Sequence, residues 1–263
     1  LTTFSDSPFY TRRGDFTLDK SGYLVNGSGY YLTGYTVDSS GVVDKSNSDP
    51  IQVSALLDNP VATSEASYTA NLPAGKGVSF ASAPSTIQVF DNLGNAREMS
   101  FTWSKTGAAT VNTWSLAVTV SEGGGSASSN FSITVPFTFD SSGSTAGTLS
   151  AYGVSTGAGI MAGSGYTVTA PATGTTDALL SFSLNFAGAG SQTIAVDFGE
   201  YQKAAGVTQF ADTTVSVTSF EQNGIPRGSF QSLEVDKSGF VVLNYDNGRS
   251  KTFYQIPIAQ FYA

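Results

Sequence analysis

Apolar and polar positions alternate with a period of two along much of the chain. Met99, Phe101 and Trp103 are separated by single small or polar residues. So are Trp114, Leu116, Val118 and Val120, then Phe131, Ile133, Val135, Phe137 and Phe139. Leu180, Phe182, Leu184 and Phe186 continue the pattern, as do Ile194, Val196 and Phe198. Successive side chains of a strand point to opposite faces, so each run predicts a strand with one buried face. Ile87 and Val89 lead into a turn at Asp91-Asn92-Leu93-Gly94-Asn95, and Glu65–Leu72 reads as a strand that stops at Pro73-Ala74-Gly75. The Gly-, Ser- and Thr-rich text of 141–176 predicts loops and a short strand at Tyr166–Thr169; Gly123–Ser126 predicts a flexible turn. Pro136 and Pro257 lack the N–H that a ladder needs, which predicts edge strands or a bulge at 131–139 and 253–261. No stretch shows a convincing helical period. The fold class expected is all-β, built from antiparallel strands in sandwich-like or barrel-like layers.

One local pattern occurs twice. Leu18-Asp19-Lys20-Ser21-Gly22-Tyr23-Leu24-Val25 near the start matches Val235-Asp236-Lys237-Ser238-Gly239-Phe240-Val241-Val242 near the end. Each predicts a hairpin: the Asp side chain bonds nearby backbone and the Gly supplies a positive φ. A four-residue turn would place Leu18, Tyr23 and Val25 on one face, and Val235, Phe240 and Val242 on another. The copies stand 236 − 19 = 217 positions apart, at opposite ends of the chain. The expected organisation is one domain built from both ends, 1–72 with 206–263, carrying an inserted domain over 73–205. Asn247-Gly248 predicts another hairpin in the closing part. Residues 36–50 are polar and read as an exposed loop. The stretch 50–60, bracketed by Pro50 and Pro60, fits a short helix or a strand.

Composition narrows the function more than the fold. The chain has 263 residues, of which 12 % are charged, and its net charge is −8. So acidic a chain offers little to a phosphate backbone, and no basic amphipathic helix or long apolar run suits a membrane. Cysteine and histidine are both absent. That removes disulfides, imidazole or thiolate metal sites, and Ser-His-Asp or Cys-His catalysis. The chain starts on Leu1 without an initiator methionine, which fits a fragment of a longer protein.

Three chemistries were open to the remaining residues. Carboxylate pairs could hydrolyse glycosides, given a cleft with two acids ~5–9.5 Å apart. However, Asp19, Asp91, Asp140, Asp236 and Asp246 all sit among Gly, Ser or Asn and read as turn formers. The Asp-Lys-Ser-Gly copies lack the further acidic ligands of a calcium loop. Tyr10, Tyr23, Tyr30, Tyr31 and Tyr35 could stack on sugars, so an extracellular β-sandwich adhesin or carbohydrate-binding module is the alternative reading.

Phe9–Asn26, followed by Tyr31-Leu32-Thr33-Gly34-Tyr35, resembles the signature shared by bacterial flagellar rod and hook proteins. The closing text, Val235–Gly239, Tyr245–Gly248 and Gln255–Phe261, resembles the end of the hook family's outer-tube domain. Rod proteins carry little between these ends. Here Val89–Asn95 and Phe101-Thr102-Trp103 are similar to the start of the hook family's distal domain. The resemblance therefore points to the hook family, with 1–72 and 206–263 as the outer-tube domain and 73–205 as the distal one. It implies an extracellular structural subunit with no enzymatic activity, catalytic residue, cofactor or metal. Such subunits are secreted by flagellar type III export and polymerise into a curved, flexible tube that carries motor torque to the filament. Partners implied are further copies of itself and the hook cap, rod and hook–filament junction proteins, with no nucleic acid and no membrane. The family's terminal helices are missing, so a monomeric core fragment is expected. The motif residues are Gly14, Asp19, Gly22, Asn26, Gly34, Asp91, Gly94, Asp236, Gly239, Asn247 and Gly248. Loop 36–50, with Asp38, Asp44, Lys45, Asn47 and Asp49, is the expected contact with a neighbouring subunit, because it is long, polar and held by a rigid base.

Overall fold

The computed structural model describes residues 2–4, 7–53, 58–107, 111–121, 131–153, 165–168 and 177–261. The fold is all-β, with three curled sheets, one of which joins strands from the two ends of the chain. The chain divides into two compact units, Leu1–Asn59 with Arg227–Ala263, and Pro60–Pro226.

The first unit opens with β1 (Thr2–Phe4), β2 (Ser7–Phe9), β3 (Phe16–Leu18), β4 (Leu24–Asn26), β5 (Tyr31–Val37) and β6 (Val43–Pro50). The second unit holds β7 (Glu65–Asn71), β8 (Ser85–Phe90), β9 (Ala96–Lys105), β10 (Thr113–Val120), β11 (Phe131–Phe139) and β12 (Leu149–Tyr152). It continues with β13 (Gly165–Val168), β14 (Asp177–Phe186), β15 (Gly190–Glu200), β16 (Val207–Thr208) and β17 (Ser216–Gln222). The chain then returns to the first unit for β18 (Phe230–Val235), β19 (Phe240–Tyr245) and β20 (Ser250–Gln255).

In the first unit, β5 is the hub. It pairs with β1, β4 and β6, and it meets β20 where Thr36 faces Tyr254 and Tyr35 faces Gln255. The core beneath mixes Leu24, Leu32, Ile51 and Val53 with Val241, Leu243 and Tyr245. Gly34 sits at this joint. A Cβ there would stand 3.0 Å from Ile51 Cδ1 and 3.1 Å from Tyr254 Cβ, so the absent side chain is what lets the two strands close.

In the second unit, β12-β11-β10-β9-β8 form one sheet, and β13-β14-β15-β7 with β16 and β17 form another. The alternating residues from Met99 to Phe198 named above are all buried in one shared core. Each large side chain contributes ~1.5–3 kcal/mol by leaving water. Trp103 and Tyr68 bury their polar ends together, with Trp103 Nε1 donating to Tyr68 Oη at 3.1 Å.

Several expectations are corrected. The strands are not all antiparallel: β7 runs parallel to β15, with Ala66 opposite Val196, and to β16, with Ala70 opposite Val207. Parallel partners need a long crossover, and the excursion through β8–β14 supplies it. The other edge of β7 takes β17. Residues 65–71 and 216–222 are therefore committed to the second unit. The crossings fall beside Pro60 and Pro226, not after residue 72 and at 206.

The repeated hairpins also group their side chains differently from that expected, with Leu18 sharing a face with Leu24 and Val235 with Val241. Leu18 pairs with Leu24 and Val235 with Val241, because the loop between Asp and the aromatic residue has three residues, not four. Leu24, Val241 and Leu243 go inside, while Val235 and Leu18 remain exposed.

Residues 36–50 are not a loop but the end of β5, a tight turn and all of β6. Polar on both faces, β6 has no apolar period to reveal it, and backbone pairing alone makes it a strand. Strand β20 ends at Gln255, so 256–261 is not part of a final strand. Pro136 lies within β11 between β10 and β12, yet its carbonyl accepts from Gly153 N–H at 2.9 Å, just past the end of β12. The side without an N–H thus faces the point where the neighbouring strand has stopped. In 50–60, Gln52 and Asp58 make isolated bridges, and 54–57 lie outside the described residues. The 123–126 turn and most of 154–176 also lie outside them.

Candidate functional site

The motif residues build one turn several times. Asp19 Oδ1 accepts the N–H groups of Ser21 at 2.8 Å and Tyr23 at 2.9 Å, while Gly22 N–H closes on Asp19 O at 3.0 Å with φ 80°. Asp236 does the same with Ser238, Phe240 and Gly239. Asp91 repeats it with Leu93, Asn95 and Gly94. Two further copies are Asn26, a motif residue named above, with Ser28, Tyr30 and Gly29, and Asp38, read above only as part of a loop, with Ser40, Val42 and Gly41. Their signal, an Asp or Asn three places before a Gly, was present in the sequence. Gly248 closes on Tyr245 O, and Asn247 Oδ1 takes the Arg249 N–H at 3.1 Å. Gly14 and Gly34 serve otherwise: Gly14 has open space around it, and Gly34 is the close approach on β5.

Two buried carboxylates lock these turns. Arg97 donates Nε and Nη2 to Asp91 Oδ2, at 3.0 and 2.6 Å. Burial pushes the Asp91 pKa up, but bonds from Asn95, Arg97 and Leu93 outweigh it and hold the group below its ordinary value. Asp58, which the sequence reading passed over, accepts from Asn247 Nδ2 at 2.8 Å and pairs with Arg249 and Lys251. Burial again raises its pKa, and Lys251 and Asn247 more than reverse the effect. Main-chain bonds in both directions join Asp58 to Gly228, so the outgoing and returning segments are held side by side. Each acid is matched to cations and braces a turn. Among the described residues, no group of three or more His, Cys, Asp or Glu could hold a metal ion.

Four of the five tyrosines considered for sugar stacking have an aromatic neighbour. Tyr23 lies 5.0 Å from Tyr31, Tyr30 5.2 Å from Phe9, and Tyr10 5.0 Å from Phe261.

The expected contact residues share one hairpin. Asp38 forms its turn, and Asp44, Lys45, Asn47 and Asp49 lie exposed on β6. Ser46 N–H and Oγ both donate to Asp44 Oδ1, which lowers the Asp44 pKa. Val42, at the tip, is 63 % exposed. Elsewhere in the same unit, a groove of about 850 Å³ has Leu24, Leu32, Leu233 and Ile256 in its lining and Arg12 and Arg13 beside them.

A protein-family profile described as "Flagellar basal body protein FlaE D2 domain" matches residues 76–225. The chain belongs to the flagellar hook protein FlgE family. The flagellar hook protein FlgE of Rhizobium meliloti is 29 % identical over 256 residues, covering 95 % of this chain and 54 % of the relative. That of Escherichia coli K12 is 27 % identical over 276 residues, covering 99 % and 58 %. The crystal structure of Helicobacter pylori flagellar hook protein FlgE2 aligns with a TM-score of 0.49 at 11 % identity, over 94 % of this chain and 80 % of that one. The chain spans about half the length of the curated FlgE relatives it matches. FlgE is a structural protein family, not an enzyme family.

Proposed function

We propose that this chain is the core of a flagellar hook subunit, which polymerises outside the cell into a curved, flexible tube transmitting motor torque to the filament. The observation that carries the reading is the family match over 76–225, joined to FlgE relatives aligned along nearly the whole chain. In this reading the unit built from both chain ends is a discontinuous, barrel-like outer-tube domain, and the inserted unit is the distal one. The β5–β6 hairpin is the contact with a neighbouring copy, through Asp38, Asp44, Lys45, Asn47 and Asp49. The motif turns at Asp19, Asn26, Asp91 and Asp236 hold the contacting elements in shape. Further partners are the rod, the hook cap and the hook–filament junction proteins. A polymer of this kind uses heterologous contacts that do not close into a ring. A joint that bends favours modest, polar, wet contacts over one large dry interface.

The test is genetic. In the source organism, deletion of the gene should abolish swimming, and antibody raised against this chain should label the hook by immunogold. Retained motility with unlabelled hooks would overturn the reading. Removing residues 38–44 in the full-length gene should leave the protein secreted but straighten or weaken the hook.

A further inference from the structure

We infer that the groove beside Arg12 and Arg13 receives the tip of the β5–β6 hairpin from a second copy of this chain. The inference rests on the polymer reading above and names the two surfaces that meet.

Among the described residues the groove presents exposed apolar surface. Ile258 is 86 % exposed and Phe261 76 % exposed at its lip, and Val235 is also exposed. Contiguous apolar surface of this kind marks an interaction site. The Arg12-Arg13 pair beside it is the one place in the sequence where two cations are adjacent, in a chain of net charge −8. The partner that fits is an apolar knob flanked by carboxylates.

The hairpin tip has that chemistry. Val42 is exposed, stands opposite Asp38 across the turn, and is followed two residues on by Asp44. Both acids bond their own turn through Oδ1, which fixes the carboxylates and leaves Oδ2 to accept from a guanidinium. Arg–carboxylate bonds are charge-assisted and directional, and they suit a contact that must hold one register.

The groove cannot be filled by its own hairpin. Leu32 lines the groove, and β5 runs from there to Val37 before the turn begins. At ~3.3 Å per residue, the strand carries the tip roughly 17 Å away along a paired, stiff element. A second copy must supply it. Donor and acceptor surfaces then differ, so each bound copy leaves one tip and one groove open, and the chain of contacts grows.

Because the protein has no cysteine, single-cysteine variants report the contact directly. Val42→Cys and Val235→Cys are made separately, checked for parental thermal melting, and treated with a short bis-maleimide, alone and mixed. The mixture should give covalent dimers well above either variant alone. Arg12→Glu with Arg13→Glu in the Val235→Cys chain should remove that excess, and Asp44→Lys in the Val42→Cys chain should restore it. Equal yields in all three samples, no dimer in any, or dimers dominated by Val235→Cys with itself would overturn the inference. Labelled hooks in cells without the cross-link would remove this contact and leave the hook reading standing. A cross-link without labelled hooks would do the reverse.

Discussion

Arg97 lies over the ring of Phe186, 4.8 Å from its centroid, while its guanidinium grips Asp91 from the side. One buried cation thus ties the β8–β9 turn to strand β14 of the other sheet. Asn92 Nδ2 adds bonds to Ala189 O and Ser191 O at the β14–β15 turn. Removing one partner of a buried pair strands the other, at a cost of roughly 3–5 kcal/mol. Asp91→Asn should therefore lower the urea midpoint sharply. Asp91→Asn combined with Arg97→Met should cost less than the sum of the two single changes, because no charge is left uncompensated.

Acid should act through the same groups. Asp58 and Asp91 both titrate below 3.8 in the folded chain. Between the folded value and 3.8 the unfolded chain binds more protons, so stability rises with pH across that window. The contribution is complete above 3.8 and is lost as pH falls through the folded values. Urea midpoints measured from neutral pH downward should hold steady and then drop, and Asp58→Asn should flatten part of the drop.

The repeated turn makes its own comparison. Asp19→Ala removes the acceptor for two N–H groups, of Ser21, which is exposed and recovers water, and of Tyr23, which is half-buried, and should cost about 1 kcal/mol or somewhat more. Asp19→Asn should be close to neutral, because Asn26 already builds the same turn with an amide oxygen. Thermal melts of the three proteins decide it; equal loss in both variants would mean that charge, not geometry, matters.

Glycine at 206 separates strain from collision. Gly188 and Gly206 both have φ near 80°, but a Cβ at Gly188 meets nothing within 4 Å, whereas one at Gly206 stands 2.0 Å from Phe198 O. Gly188→Ala should cost roughly 1–3 kcal/mol of backbone strain alone. Gly206→Ala should cost clearly more, read as a lower midpoint in tryptophan emission.

Gly34→Val should open the joint between β5 and β20. Its Cβ presses on Ile51 and Tyr254, and the branch adds bulk with nowhere to go. Hydrogen exchange should rise in peptides covering 31–37 and 250–255. Trp103 and Trp114, the chain's two tryptophans, lie in the core of the other unit, and their emission should be unchanged.

The sequence was most readable where one face of a strand is buried. Trp114 to Val120 alternates cleanly because β10 is central in its sheet and every second side chain enters the core. It was least readable where pairing carries the structure without burial, as on β6 from Val43 to Pro50. The hairpin register was misread by a single residue, enough to put Leu18 on the face of Leu24 rather than that of Tyr23. The boundaries were missed because β7 draws its partners from β15, β16 and β17, far along the chain, and no local pattern announces such pairing. Asp58 has ordinary neighbours in sequence; only folding brings Asn247, Arg249 and Lys251 to it.

The bond pair between Asp58 and Gly228 has a consequence for how this architecture can vary. To the unit that holds both chain ends, everything from Pro60 to Pro226 occupies the place of a connecting turn. The entropy of closing such a turn grows only with the logarithm of its length. Lengthening, trimming or exchanging that whole segment therefore asks little of the host beyond keeping its two exits adjacent, which Asp58 and its cations already ensure.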